Sequence, residues 1–373
     1  MWIGNTHMLN KKRARLIAFY LPQYHPIPEN DEWWGKGFTE WTNVTKARPL
    51  FRGHVQPRLP GELGFYDLRV PEVREQQADL ARQHGIEGFC YWHYWLGDGK
   101  RLLERPFNEV LESGSPDFPF CLGWANHSWS RTWCGHSGEI LAQQLYPGRA
   151  DYIKHFYALL PAFRDKRWVR VRGKLLFVVF RPHEIPNPRE FTELWRELSD
   201  KEGLSGFWFV GCDVQDKKRL NEWGFDSTLF QRHRFIEKCK PSSDVMRKIF
   251  HTWRKLRCKP SVYLYKDAME YFVRNQTVES YEYPCIVTNW DSTPRLGVQG
   301  LVLKNSAPSL FREHIKDIFN RVHDRDYTDK IIFVKSWNEW AEGNYLEPDQ
   351  EYGRERLEVL RDEVFFDLGD ISK

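Results

Sequence analysis

The stretch Ile331-Ile-Phe-Val-Lys-Ser-Trp-Asn-Glu-Trp-Ala-Glu-Gly-Asn-Tyr-Leu-Glu-Pro348 leaves an apolar run and at once presents two carboxylates three residues apart, Glu339 and Glu342. A short apolar run that ends among polar and aromatic residues reads as a buried strand delivering chemistry at its carboxyl end. If the chain turns helical after Trp337, the two glutamates share a face with β-carbons about 5–6 Å apart. That is close to the roughly 5–5.5 Å carboxyl separation of retaining glycoside hydrolases. Trp337 and Trp340 offer flat apolar faces to a sugar ring and exclude water. The plainer reading is an acidic first helical turn stabilised by the helix dipole. The adjoining strand end and the aromatic neighbours favour a site.

Working outward, seven further apolar runs recur: Leu16–Leu21, Gly88–Trp95, Phe118–Ala125, Leu175–Phe180, Phe207–Gly211, Phe225–Phe230 and Cys285–Trp290. Between them, Pro71–His84, Asp151–Phe163, Pro188–Ser199, Ser309–Val322 and Arg354–Phe366 show helical periodicity. Strands alternating with helices imply a parallel sheet, and eight units suggest closure into a (β/α)8 barrel. An open doubly wound sheet is the alternative, but no Gly-rich GxGxxG turn follows the first run to support a dinucleotide site. Residues 1–14 read as an N-terminal tail and 15–373 as one α/β TIM barrel with long βα-loop insertions.

Polar and aromatic residues gather just after these runs, at what would be the active face of a barrel. They are Tyr20, Gln23, Tyr24 and His25 after the first; His93, Tyr94 and Trp95 at the second; Asn126, His127 and Trp129 after the third; Arg181 after the fourth; and Trp290 and Asp291 after the seventh. With Trp41 from the following loop, and with Trp337, Asn338, Trp340 and Glu347, they form the candidate substrate-binding set. Any one of them alone is more simply a satisfied structural polar group; their repetition at the same end of each strand is what favours a site.

Composition agrees with a sugar-binding surface: 17 Trp, 16 Tyr and 25 Phe make 16% of the 373 residues, often beside polar residues. Core filling accounts for most of the Phe and for part of the Trp. Of the seven Cys, Cys90, Cys121, Cys212 and Cys285 fall within expected strands, which suits a reduced, intracellular protein. Cys134 and His136 lie near His127 without zinc-ligand spacing, so no metal and no cofactor are expected. Lys11, Lys12, Arg13 and Arg15 precede Leu16–Leu21 much as in a signal peptide, but the apolar run is short and has no small-residue cleavage site. It reads as a first strand of a cytoplasmic chain, possible at the periphery of the inner membrane.

Two insertions interrupt the pattern. Glu29–Gly64 carries Trp33, Trp34, Phe38, Glu40 and Trp41 and reads as a loop walling a cleft. Arg232–Lys259 holds ten Lys or Arg against Glu237 and Asp244, a net of +8 in a chain of +4. Within it Met246, Ile249, Phe250 and Trp253 follow helical spacing after Asp244, giving a basic helical insertion at about 232–262. Its apolar stripe would lie on the barrel; its basic face, with Arg247, Lys248, Arg254, Lys255 and Arg257, would alternatively bind a lipid-linked precursor, an anionic membrane surface or an acidic glycan. No nucleic-acid module is recognisable.

The run 337–348 resembles the WbsX-type bacterial proteins, relatives of glycoside hydrolase family 99. So do Ala18-Phe-Tyr-Leu-Pro-Gln-Tyr-His25 with Gly37-Phe-Thr-Glu-Trp-Thr-Asn-Val44, Gly88-Phe-Cys-Tyr-Trp-His-Tyr-Trp95 and Trp290-Asp-Ser-Thr-Pro-Arg295. The resemblance implies a (β/α)8 barrel, a retaining mechanism without metal, and an oligosaccharide or polysaccharide substrate. In family 99, internal α-mannosidic bonds are cleaved through a 1,2-anhydro sugar. By motif position Glu339 resembles the base that deprotonates the 2-hydroxyl, and Glu342 the acid/base. WbsX-type proteins are associated with bacterial surface-polysaccharide gene sets and are often labelled glycosyltransferases. Two rivals therefore stand beside a hydrolase or transglycosidase: a glycosyltransferase of surface-polysaccharide biosynthesis, and a non-catalytic glycan-binding protein.

Overall fold

The eight expected strands form one parallel sheet that curls until its two ends meet at a single residue. The structure is a computed structural model describing residues 12–131, 138–240, 243, 245, 246, 248, 249, 252, 259–273 and 278–365. Strands β1 (Arg15–Tyr20), β2 (Ile86–Trp95), β3 (Phe120–Trp124), β4 (Lys174–Val179), β5 (Phe207–Cys212), β6 (Ser227–Leu229) and β8 (Ile331–Lys335) pair in parallel, β8 returning to lie beside β1. Strand β7 comes in two pieces, Glu282–Tyr283 pairing with β6 and Cys285–Val287 pairing with β8. Between them Pro284 lacks an N–H but still offers its carbonyl, which accepts from Phe333 N at 3.0 Å. Closure there removes the sheet edges and makes the architecture a distorted (β/α)8 barrel.

The strands are predominantly apolar because both faces are covered, one by the barrel interior and one by helices. All four strand cysteines are buried. Helices Pro71–Gln83, Pro188–Lys201 and Pro308–Arg321 start on proline, whose fixed φ suits a first turn. Asn187 caps the second of these by accepting from Glu190 N. Trp195 on that helix is fully buried within 6 Å of Phe156, Phe163, Phe177, Phe191 and Phe207, and its indole N–H reaches Tyr152 O at 3.0 Å.

Three departures from the sequence reading matter for the site. After Trp337 there is no α-helix: Asn338–Glu339 pairs antiparallel with Asn344–Tyr345 around a 3-10 turn at Trp340–Glu342. The loop after β1 folds into helices Pro28–Trp34 and Glu40–Lys46, the second packing against that 3-10 turn, so it buttresses the site from behind instead of walling a cleft. Of the expected basic helix, Asp244, Arg247, Phe250, Trp253, Arg254, Lys255 and Arg257 lie outside the described residues, while Met246 and Ile249 are more than half exposed. Between β6 and β7, Ser261–Leu264 pairs with Leu301–Lys304, and with Tyr265 and Phe272 builds a small second core that carries Trp290. At the other end of the barrel Arg13 N donates to Val364 O, docking the start of the described chain on the last helix.

Trp195→Ala should cost about 3–5 kcal/mol of stability, through the lost ring contacts and the lost hydrogen bond to Tyr152 O. Chemical denaturation followed by far-UV circular dichroism checks this, and Trp195→Phe should lose clearly less.

Candidate active site

At the carboxyl ends of the strands lies a cleft of about 480 Å³, within the size range of small-ligand sites. Its floor is Lys335, the last residue of β8. A charged side chain in a barrel strand needs a counter-charge. Here Nζ stands 3.5 Å from Glu339 Oε2 and 5.5–5.8 Å from the ring centres of Phe19, Trp92 and Trp290. Trp92 also donates its indole N–H to Glu339 Oε1 at 2.7 Å.

The turn after β8 is fastened at several points. Ser336 Oγ donates to Asn344 O and accepts from Glu339 N. Gly343 has φ +63°, and a β-carbon there would come within 2.7 Å of Asp291 N, so the position requires glycine. Asp291 N in turn donates to Glu342 O at 2.8 Å. Asn344 Nδ2 reaches both carboxylates, Glu339 Oε2 and Glu342 Oε2, at 3.3 Å each. Arg295 binds Glu342 Oε1 at 2.6 Å and fully buried Glu40 Oε1 at 2.7 Å.

Three carboxylates therefore face two cations, Lys335 and Arg295. Burial pushes Glu339 up, but the Lys335 ammonium first, then Arg295 and the Trp92 bond, hold it below the usual carboxylate range. Burial is also the largest influence on Glu342; Arg295 opposes it, yet burial with the neighbouring Glu339 charge leaves Glu342 above the usual range. Burial raises Glu40 as well against the pull of Arg295, and its second oxygen makes no hydrogen bond. The two cleft carboxyls are thus driven apart, Glu339 towards the anion and Glu342 towards the acid. Glu342 is the more open of the two, its side chain 23% exposed against 5% for Glu339.

Besides Glu339 and Glu342, the structure brings Gln23, Tyr94, His127, Trp129, Arg181 and Trp290 of the expected set to the cleft. Both side-chain amide atoms of buried Gln23, and the indole nitrogen of Trp290, make no protein hydrogen bond and stand ready for ligand hydroxyls. Strand periodicity decides the outcome on β2: Trp92 and Tyr94 point in, while His93 and Trp95 point out to His155 and Asp151.

The remaining residues stand behind the cleft lining. Tyr20 donates to Gln77, Trp41 donates to Tyr66 O, and Tyr24 donates to Asn338 O. His25 sits on Pro22 O, its pKa lowered to about 4 by burial. Asn126 clamps the backbone of Arg181, and Asn338 clamps that of Leu21. Asp291 accepts from Gln56 and Thr293 and pairs with His54. Trp337 packs on Phe89, and Trp340 stacks on Tyr345 at 3.8 Å, so neither indole faces the cleft as a sugar platform. Glu347 is buried under Tyr66, Gln77 and Trp340, burial raising it to about 7.

Trp92, Lys335, Arg295, Glu40 and Asn344 were not among the expected site residues. A lone lysine inside an apolar strand was the available signal for Lys335, and β2 alternation for Trp92. Glu40 acts on Arg295 across a long stretch of chain and leaves no local trace, whereas Asn344 lies within five residues of both carboxylates it binds.

A family model described as "Glycosyltransferase WbsX" matches residues 16–360. Proteins named "Uncharacterized protein WxcX" from Xanthomonas campestris pv. campestris, strains ATCC 33913 and B100, are each 35% identical over 363 residues, covering 93% of this chain and 49% of theirs. The chain thus spans about half the length of these curated relatives. Among solved structures, a GH99 endo-alpha-mannosidase from Bacteroides thetaiotaomicron aligns with TM-score 0.56 at 13% identity over 94% of both chains. A glycoside hydrolase-like protein aligns with TM-score 0.55 at 13% identity over 98% of both. At that identity the likeness concerns the fold. On the family match and the relatives' identity, the chain belongs to the family described as glycosyltransferase WbsX.

Proposed function

We propose that this chain is a retaining glycoside hydrolase or transglycosidase acting on a bacterial surface polysaccharide or its precursor. The observation that carries the reading is the opposed electrostatics of two carboxyls in one cleft, Glu339 held towards its anion and Glu342 towards its acid. The family label and the barrel's likeness to a GH99 endo-alpha-mannosidase support the substrate class.

In the proposed reaction Glu339 removes the proton of the substrate 2-hydroxyl, and that oxygen attacks C1. As the C1–oxygen bond to the leaving group breaks, Glu342 gives it a proton. The resulting 1,2-anhydro sugar opens when Glu342, now a carboxylate, takes a proton from water or from a saccharide hydroxyl that attacks C1. Glu339 returns its proton to O2. Two displacements retain the anomeric configuration, and the acceptor alone decides between hydrolysis and transfer. Lys335 keeps Glu339 ionised, and Asn344 fixes both carboxyls. The proposed setting is the cytoplasm; no helix among the described residues is long and apolar enough to cross a membrane.

The test is incubation with the surface polysaccharide of the source organism, with released fragments and their anomeric configuration read by NMR. Products of retained configuration are expected; inverted products, or turnover that survives loss of both carboxylates, contradict the reading.

Glu342→Gln should lose roughly 10²-fold or more on unactivated substrates while keeping more of the first step where the leaving group needs no proton. Equal losses on both substrate types would remove the acid role. Glu339→Gln should depress both, and a 2-deoxy or 2-fluoro substrate should not turn over by this route.

The pH profile of kcat/KM should be bell-shaped. It falls at low pH as Glu339 gains a proton and at high pH as Glu342 loses one. Removing the Lys335 charge in Lys335→Met should move the acidic limb to higher pH, because the largest influence holding Glu339 down is gone.

A further inference from the structure

The cleft lining is unevenly charged. Four cations, Arg181, Arg234, Arg295 and Lys335, meet only two carboxylates, Glu339 and Glu342. Arg295 and Lys335 are engaged with the glutamate cluster. Arg181 and Arg234 pair with Glu184 and Glu237, which are not part of the lining, in half-exposed contacts of the kind that hold weakly.

Arg181 is the better built of these two. Buried Asn126 accepts from Arg181 N at 2.7 Å and donates to Arg181 O at 2.8 Å, while Tyr146 OH bonds Asn126 at both its amide nitrogen and its carbonyl. The guanidinium lies 5.6 Å from the ring centre of Phe180, another lining residue. Its one side-chain bond, from Nη1 to Glu184 Oε1, leaves Nε and Nη2 without a partner among the described residues. Beside it His127 is neutral, its pKa lowered to about 4 by burial and by the Arg181 charge. A backbone-clamped guanidinium with two parallel donors free, opening on a cleft, matches the oxygen fork of a carboxylate or phosphate.

We propose that the cleft takes an anionic saccharide, a sugar bearing a carboxylate or phosphate group, and that Arg181 holds that charge. This rests on reading the cleft as a saccharide site, but the test does not require turnover.

Trp92, Trp129 and Trp290 line the cleft, so intrinsic fluorescence of the full chain reports occupancy. Titration with glucose, glucuronate, glucose 6-phosphate and inorganic phosphate separates sugar from charge, and carboxylate from phosphate. None of these ligands contains a glycosidic bond, so the outcome is independent of the hydrolase reading. At least one of the two acidic sugars should saturate about tenfold or more below glucose and below inorganic phosphate. Added salt should narrow the gap to glucose, Arg181→Gln should close it, and Arg181→Lys, which keeps charge but not the fork, should retain part of it. Circular dichroism establishes that both variants are folded. Glucose binding as well as the acidic sugars, no saturable response to either acidic sugar, or a preference that survives in folded Arg181→Gln would each overturn the proposal.

Discussion

A buried lysine at the end of a barrel strand is the constraint around which the active end of this protein is organised. Lys335 cannot keep its charge among Phe19, Trp92 and Trp290 without a carboxylate close by, and Glu339 at 3.5 Å is that carboxylate. Burial together with the Glu339 charge keeps Glu342 above the usual carboxylate range against the pull of Arg295. Arg295 would cancel that effect if it were devoted to Glu342, but it is shared with Glu40. The electrostatics of the cleft therefore depends on five ionisable groups taken together and not on a two-residue motif.

Those groups come from distant parts of the chain, and much of the remaining sequence serves to bring them into register. Glu40 arrives on a short helix that packs on the 3-10 turn bearing Glu342. His54 and Gln56, farther along the same loop, hold Asp291, whose backbone holds Glu342 and whose close approach demands Gly343. The long loop after β1 thus supports the turn that bears Glu342 without lining the cleft. Many polar residues at the strand ends play the same part, positioning backbone that positions something else.

What could be read in advance follows from range. Strands buried on both faces are written as continuous apolar runs, so all eight were legible, as were the five helices with strong periodicity. The division of β7 at Pro284 was not, because the break is a matter of which neighbour each half pairs with. Whether the chain turns helical after Trp337 is not legible locally, because the geometry of the 3-10 turn is set by Ser336, Asn344 and Asp291, which act across the turn and across the barrel. Which polar residues face the cleft was only partly legible: alternation separates Tyr94 from His93, whereas nothing local shows that Asn126 clamps Arg181 or that Trp340 stacks on Tyr345.

In the proposed reaction Glu339 is the anion and Glu342 the proton-bearing acid of one coupled pair. A pH titration of carboxyl-13C-labelled glutamates by NMR tests it most directly, with Glu339→Gln and Glu342→Gln variants assigning the two resonances. The account predicts one resonance titrating below the ordinary glutamate range and belonging to Glu339, and one titrating above it and belonging to Glu342. Reversal of that order, or two carboxyls titrating together at the ordinary value, would contradict it.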